Sequence, residues 1–410
     1  MSTYLLFGVR TCMPLLLLPI LSHRVGRDEF GVVLAVQSLG LLGSVLTEYG
    51  FHYAAARELG LANDGHDIAR IVSRTFFSQL LLAALTLIIV GLSALLTPVL
   101  SASPVAIVSA ILIAVATGLA PVWYFRGVGK ASWAIAIEAF GQFVALGLMF
   151  CLVRAPRDAP LAMSFMAIGP CCSFVLGYAI TLRRGVAILR VRMSDVLSEL
   201  RAVFSLFLVR AGSSFYTVAA IWITALLSST NQVAYYGVAS KLGGLLVALY
   251  QPVSHVMVPR AARLAQEAPG LLRREAVRWG SCMVVFGLIV VAIIHAVIAP
   301  VISLALGDDM RPAIAVAEVL SWVCVTAALK EAASCFYLIP YRQDRLMSAS
   351  VIAAGLLNLG LAYVLVPAKG AMGMAWSRLI CELFIVVVFL AFAIFGAMDW
   401  RRTSPRPVVD

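Results

Sequence analysis

Charge is scarce in this chain. Asp, Glu, Lys and Arg make up 12% of its 410 residues and apolar residues 62%, whereas a soluble domain is about a quarter charged. Such an apolar excess is not one large soluble core, because cores stop growing and split into domains as chains lengthen. Long hydrophilic segments are missing too. The longest, at 50–74, 183–201 and 259–278, leave no room for a separate catalytic domain. Metal-ligand spacing is also absent. Cys12, Cys151, Cys171, Cys172, Cys282, Cys324, Cys335 and Cys381 all fall in apolar stretches without a suitably spaced histidine, which argues for packing and against a zinc site or disulfide framework. The Gly-Lys of GVGKAS at 127–132 is not a nucleotide loop. That loop needs a glycine where Tyr124 stands and a Ser or Thr where Ala131 stands. No cofactor is indicated, and an ion or substrate gradient is left as the energy source. Finally, MSTYLLFGVR has no basic n-region and turns apolar at Tyr4, so the first apolar block is expected to act as its own insertion signal.

What the chain does contain is a series of apolar blocks. They lie at approximately 4–21, 30–49, 75–100, 105–125, 131–153, 161–182, 202–229, 232–258, 279–306, 313–340, 346–366 and 371–398. About 20 apolar residues cross a bilayer as a helix, and in lipid each span must satisfy its own backbone hydrogen bonds. The fold class expected is therefore all-α: a polytopic membrane protein with twelve transmembrane helices. The net charge of +11 orients it. Of the 31 Lys and Arg residues, Arg24, Arg27, Arg154, Arg157, Arg311 and Lys369 fall on one side, and Arg10, Arg210, Lys241, Lys330 and Arg378 lie inside blocks. The remaining twenty fall on the other side, which the positive-inside rule makes cytoplasmic, with both termini. The charge serves orientation and contact with anionic lipid, and nucleic acid is not indicated as a partner.

RRGVAILRVRMSDVLSELR at 183–201 divides the chain. An N-terminal lobe of six spans (1–182), this basic cytoplasmic linker, a C-terminal lobe of six spans (202–398) and a cytoplasmic tail (399–410) are expected. The linker interleaves basic and apolar residues, as a segment lying along the inner membrane surface does, and Ser194 or Asp195 is a candidate cap for the helix that follows. A faint repeat links the halves. FGVVLAVQSLG…AAR (30–57) aligns without gaps to YGVASKLGGLL…AAR (236–263), pairing Gly31 with Gly237 and Arg57 with Arg263. Transporters are often built from such repeats, with the substrate site between them.

Several motifs carry a family resemblance: YGFHYAAARELG (49–60), PVWYFRGVGK (121–130), QVAYYGVASKL (232–242), QPVSHVMVPRAARL (251–264) and the run FYLIPYRQDR…GLLNLGLAYVLVPAKGAMGMAWSRLICE from Phe336 to Glu382. In this order, over nearly the whole chain, they resemble the polysaccharide transporter family, the Wzx-type flippases of the multidrug/oligosaccharidyl-lipid/polysaccharide exporter superfamily. The resemblance implies a MATE-like, V-shaped pair of six-helix lobes in the bacterial inner membrane. It implies movement of an undecaprenyl-diphosphate-linked oligosaccharide from the inner to the outer leaflet for O-antigen, capsule or exopolysaccharide synthesis. A polysaccharide polymerase and a chain-length regulator are then expected partners.

Carrying a diphosphate across about 30 Å of hydrocarbon requires cations. A cation at a helix centre costs roughly 2.5–3.5 kcal/mol on the insertion scale, so each intramembrane cation is a functional candidate. Arg10 and Arg210, in the first spans of the two halves, are first choices as diphosphate ligands; snorkelling to the surface is the plain alternative. Lys241, Lys330 and Arg378 are further cavity candidates. Arg378 has Glu382 four residues on, so a structural salt bridge competes. Lys330 and Glu331 are adjacent and point in different directions. Glu318, Glu331 and Glu382 are candidate proton or sodium sites. Arg57 and Arg263 are candidates for an inner gate, acting through Glu58 or nearby acids. Glu48 and Glu138 are expected to pair with cytoplasmic arginines. Trp123-Tyr124-Phe125, Tyr216, Trp222, Tyr235-Tyr236 and Tyr250 are aromatic candidates for stacking on sugars.

Three other functions compete. A drug or organic-cation antiporter of the same superfamily would present acids and aromatics rather than five intramembrane cations. A peptidoglycan-precursor flippase usually carries fourteen spans. A membrane glycosyltransferase or polymerase needs a sizeable catalytic loop. No catalytic residue and no metal ligand is assigned.

Overall fold

The computed structural model describes the backbone of residues 2–62 and 64–396, and side chains from residue 16 onward except those of residues 251, 252, 255, 269, 395 and 396. The tail at 399–410 lies outside these. Among the described residues the chain is helical and has no strand. In order, α1 (Ser2–Glu48), α2 (Phe51–Leu61), α3 (Gly65–Leu96), α4 (Pro98–Ser101), α5 (Pro104–Leu119), α6 (Val122–Gly127), α7 (Ala131–Leu152), α8 (Ala159–Met166) and α9 (Ile168–Arg183) build the first half. The second comprises α10 (Met193–Thr217), α11 (Ala219–Leu227), α12 (Thr230–Ala248), α13 (Gln251–Glu267), α14 (Pro269–Leu306), α15 (Pro312–Ser321), α16 (Val323–Ala333) and α17 (Asp344–Ala391).

Helices α1 and α17 run for 47 and 48 residues, or about 70 Å if straight, more than twice a bilayer core. Neither is straight. Gly26 (φ 77, ψ 165) and Gly370 (φ 54, ψ −130) break them in conformations that only glycine adopts readily. Leu17 and Gln37, on either side of Gly26, line one cavity, so the chain turns back there and α1 holds two spans. Among the described residues, eight helical stretches are long and apolar enough to cross a membrane, or nine if the α10–α11 pair, bent by 52°, is one span. With both double helices counted as two, that makes eleven, and α12–α13, which the count leaves out, would supply a twelfth, consistent with twelve spans.

Several expected spans are interrupted. The block at 105–125 divides at Ala120-Pro121 into α5 and α6, 232–258 at Leu249-Tyr250 into α12 and α13, and 161–182 at Ala167 into α8 and α9. Proline starts two of the new pieces: Pro121 is the N-cap of α6 and Pro252 sits in the first turn of α13. Hydropathy records composition and so misses such breaks. The 183–201 segment is also shorter as a linker, because α10 begins at Met193. Its N-cap is Arg192, without a side-chain cap bond. Ser194 and Asp195 therefore stand inside the first turn instead of capping it, where Asp195 favours the positive end of the helix dipole.

Burial separates central from peripheral helices. Of the most apolar window, 67% is buried for Leu16–Glu48 and 56% each for Pro104–Gly127 and Pro312–Leu338, against 28% for α7 and for Gly270–Leu306. Side chains such as Leu85, Leu92, Phe286 and Ile293 lie outward, as in a lipid-facing shell. The central crossing joins the halves. Gly31 lies so close to α12 that a Cβ there would come 2.1 Å from the Thr230 carbonyl oxygen, and a Cβ on Gly237 would come 2.5 Å from Leu34. The two glycines paired by the sequence repeat thus both serve the α1–α12 contact, the small-residue close approach typical of membrane helices.

Candidate functional site

The halves interlock at the end of the molecule that carries Gly26. Asp28 accepts a bond from Thr230 Oγ1 (3.0 Å), and Arg27 donates to Asn231 (2.8 Å) and Tyr235 (3.3 Å). Deeper, Ser38 Oγ donates to the Val218 carbonyl and accepts from the Trp222 amide (2.6 and 3.0 Å). Ser22 donates to the Leu306 carbonyl at 2.9 Å.

At the other end, around Tyr49, the halves meet again: Arg74 pairs with Glu199 at 2.7 Å, and a Cβ on Gly50 would come 2.9 Å from Leu206. Tyr49 stacks on Phe207 with centroids 4.5 Å apart, and Arg210 lies 3.4 Å from Glu48. A cavity of about 480 Å³ lies in the first half and reaches this end. Its wall includes Glu48, His52 and Arg126 near Tyr49, Gln37, Glu138 and Gln142 further in, and Leu17, Met149 and Met166. Arg210 is its contribution from the second half.

The five intramembrane cations divide among distinct places. Arg210 is in the cavity wall, with its side chain 45% exposed; its partner Glu48 is buried and also meets His52 Nε2 at 3.6 Å. Lys241 bridges the halves by donating to Gln37 Oε1 (2.5 Å), so it reaches the cavity only through that amide. Lys330 is committed to Glu382 at 2.5 Å. Arg378 is buried, and its Nε has no hydrogen-bond partner among the described residues. The i,i+4 bridge from Arg378 to Glu382 therefore gives way to one formed by Lys330, 52 residues earlier. The side chain of Arg10 lies outside the described residues.

Among the acids, Glu331 does point away from its neighbour Lys330: it accepts from Ser254 on α13, and Cys335 Sγ lies 3.7 Å away. Glu318 is half-buried on α15 and enters no ion pair among the described residues. Arg57 and Arg263 are exposed on α2 and α13. Glu58 bonds to Arg74 (2.6 Å) rather than to Arg57, and Arg74 also meets Glu199 (2.7 Å). Beside Arg263, it is Arg260 that pairs with Glu275, at 3.3 Å.

Two features escaped sequence reasoning. Arg126 is among the twenty cations outside the apolar blocks, since its block ends at Phe125, yet α6 carries it into the cavity wall, where its side chain is exposed. Its place directly after WYF in a proline-started segment was the available signal. The aromatics also differ from expectation: Trp123, Tyr124 and Phe125 are core residues, while Tyr53, 65% exposed, lines the cavity.

The Lys330–Glu382 pair yields a stability prediction. Removing one partner of a buried pair strands the other charge at about 3–5 kcal/mol, whereas replacing both by apolar groups is near neutral. Lys330→Met is expected to lower the thermal midpoint of the detergent-solubilised protein sharply, and Lys330→Met with Glu382→Leu to restore most of it. Equal loss in the two proteins would mean that the pair is not the source of the effect.

Comparison with known proteins agrees with this architecture. Two candidate O-antigen transporters, from Shigella dysenteriae and Escherichia coli (strain K12), are each 23% identical; the alignments cover 94% of this chain and 97% and 93% of the relatives. Among solved structures, the lipid II flippase MurJ in an inward closed conformation superposes with a TM-score of 0.73 at 12% identity, over 95% of this chain and 87% of that one. An inward-facing multidrug resistance MATE family transporter of the MOP superfamily gives 0.71 at 14%, over 97% and 99%. At such identities the structural likeness is one of fold. The sequence match is more specific: residues 1–265 fit the family described as polysaccharide biosynthesis protein, and the chain belongs to that family.

Proposed function

We propose that this protein flips an undecaprenyl-diphosphate-linked oligosaccharide from the inner to the outer leaflet of the bacterial cytoplasmic membrane. The Tyr49 end and both termini face the cytoplasm in this reading, following the excess of Lys and Arg there. One observation carries it: a cavity within apolar helices has both Arg210 and Arg126 in its wall, and hydrogen bonds join the halves at the Gly26 end. Guanidinium groups suit a diphosphate because they bond its oxygens in a bidentate fork. The polyprenyl tail stays in lipid while the head group crosses. Names of the relatives, O-antigen transporters and a lipid II flippase, support a substrate of this class.

The remaining candidates take secondary roles. Lys241 holds Gln37 in the cavity wall and becomes available to the head group once the α1–α12 contact opens. Arg57 and Arg263 stay candidates for an inner gate in a more closed state. Glu318 and Glu331 are favoured over Glu382 as coupling sites, since Glu382 is committed to Lys330. Polymerase and chain-length regulator are the expected partners on the outer side.

Deleting the gene is the test in cells. The expected result is an accumulated polyprenyl-diphosphate oligosaccharide with loss of surface polysaccharide, both restored by the wild-type gene. Normal surface polysaccharide without accumulation would contradict the proposal.

A further inference from the structure

Cations explain how a diphosphate would be held, but they leave part of the cavity wall without a role. His52 Nδ1, Thr117 Oγ1, Gln142 Oε1 and Ser173 Oγ are shielded from solvent and have no hydrogen-bond partner among the described residues. All four residues line the same cavity. They come from four helices, α2, α5, α7 and α9, so no local feature of one helix accounts for them. A buried polar group without a partner is costly, and native interiors hold few. Four on one cavity indicate that a ligand, rather than the fold, is what they serve.

Their chemistry narrows the ligand. Hydroxyl and amide groups offer donors and acceptors without formal charge, a set suited to hydroxyls and poorly suited to phosphate, which calls for cations. Tyr53 adds an exposed aromatic face on the same wall, and such a ring has an apolar face for C–H groups and a polar tip. The volume, about 480 Å³, is that of a small-molecule site. A carboxylate borders the group as well: Gln142 Nε2 donates to Glu138 Oε1 at 3.4 Å.

We propose that Thr117, Gln142, Ser173 and His52, with Tyr53 as a stacking platform, form a subsite for one uncharged sugar ring of the head group, beside the cations that hold the diphosphate. This rests on the reading of the substrate as a polyprenyl-diphosphate-linked sugar. The subsite discriminates among sugars by hydrogen bonding.

Equilibrium binding to the purified full-length protein in lipid nanodiscs tests this with three probes: bare undecaprenyl diphosphate, the same lipid bearing one N-acetylhexosamine, and the same lipid bearing one hexuronic acid. Wild-type protein is expected to bind the N-acetylhexosamine lipid about tenfold more tightly than the bare lipid, the effect of one or two net hydrogen bonds. The hexuronic acid lipid should bind no more tightly than the bare one. The double variant Gln142→Leu, Ser173→Ala should lose the tenfold preference while keeping wild-type affinity for the bare lipid, which also reports that it is folded. A preference that survives in the variant, or is absent in wild type, or favours the hexuronic acid, would overturn the subsite while leaving the flippase reading intact. Failure of wild type to bind any of the three would instead overturn the flippase reading itself.

Discussion

Arg210→Ala is expected to abolish export of surface polysaccharide while the protein inserts in the membrane at normal levels. The side chain is 45% exposed at the cavity and its partner Glu48 is buried. A hydrogen bond to a charged group contributes about 1.5–3 kcal/mol, so two bonds from one guanidinium to a diphosphate amount to about 3–6 kcal/mol, or upward of a hundredfold in binding. The alanine variant also leaves Glu48 facing the incoming anion without its cation. Arg210→Lys should retain part of the activity, having the charge without the fork. A second variant separates two roles. If Arg210 only neutralises Glu48, then Glu48→Gln should rescue Arg210→Ala; if it binds substrate, no rescue follows. Surface polysaccharide and accumulated lipid-linked sugar, measured in complemented deletion cells, give the answer. Wild-type export by Arg210→Ala would remove the residue from the mechanism.

The second large effect is a lock. Asp28 and Thr230 meet at 3.0 Å across the two halves at the Gly26 end, and Gly31 brings the backbones of α1 and α12 into contact beside them. If the head group leaves through this end, the contact must open in every cycle. A protein carrying Asp28→Cys and Thr230→Cys should lose transport on oxidation and regain it on reduction, while each single variant transports in both conditions. The single variants also control for the native thiols, of which Cys151 and Cys282 are exposed. Oxidised, cross-linked protein that transports at the wild-type rate would show that the path does not pass between α1 and α12.

The sequence made the membrane architecture legible because lipid imposes a strong constraint: about 20 apolar residues per span and few charges within. The same constraint flagged Arg210, Lys241, Lys330 and Arg378 as costly and worth explaining. It did not reveal their partners. Glu48 and Arg210 are 162 residues apart and Lys330 and Glu382 are 52 apart, whereas sequence spacing discloses only neighbours on one helix. That is why Arg378 looked like the natural mate of Glu382. Arg126 was missed for a related reason. Hydropathy places the end of a block but does not say that α6 turns its last residues toward a cavity. The repeat was more informative than its weak identity suggested, since Gly31 and Gly237 occupy the two sides of one helix crossing.

Reconstitution tests the central claim most directly. Purified protein is placed in sealed proteoliposomes whose inner leaflet carries undecaprenyl-diphosphate-linked oligosaccharide, and appearance of the sugar in the outer leaflet is followed with an impermeant lectin or glycosidase. The account predicts protein-dependent translocation that Arg210→Ala abolishes. Translocation no faster than in protein-free vesicles, with and without a proton or sodium gradient, would contradict it.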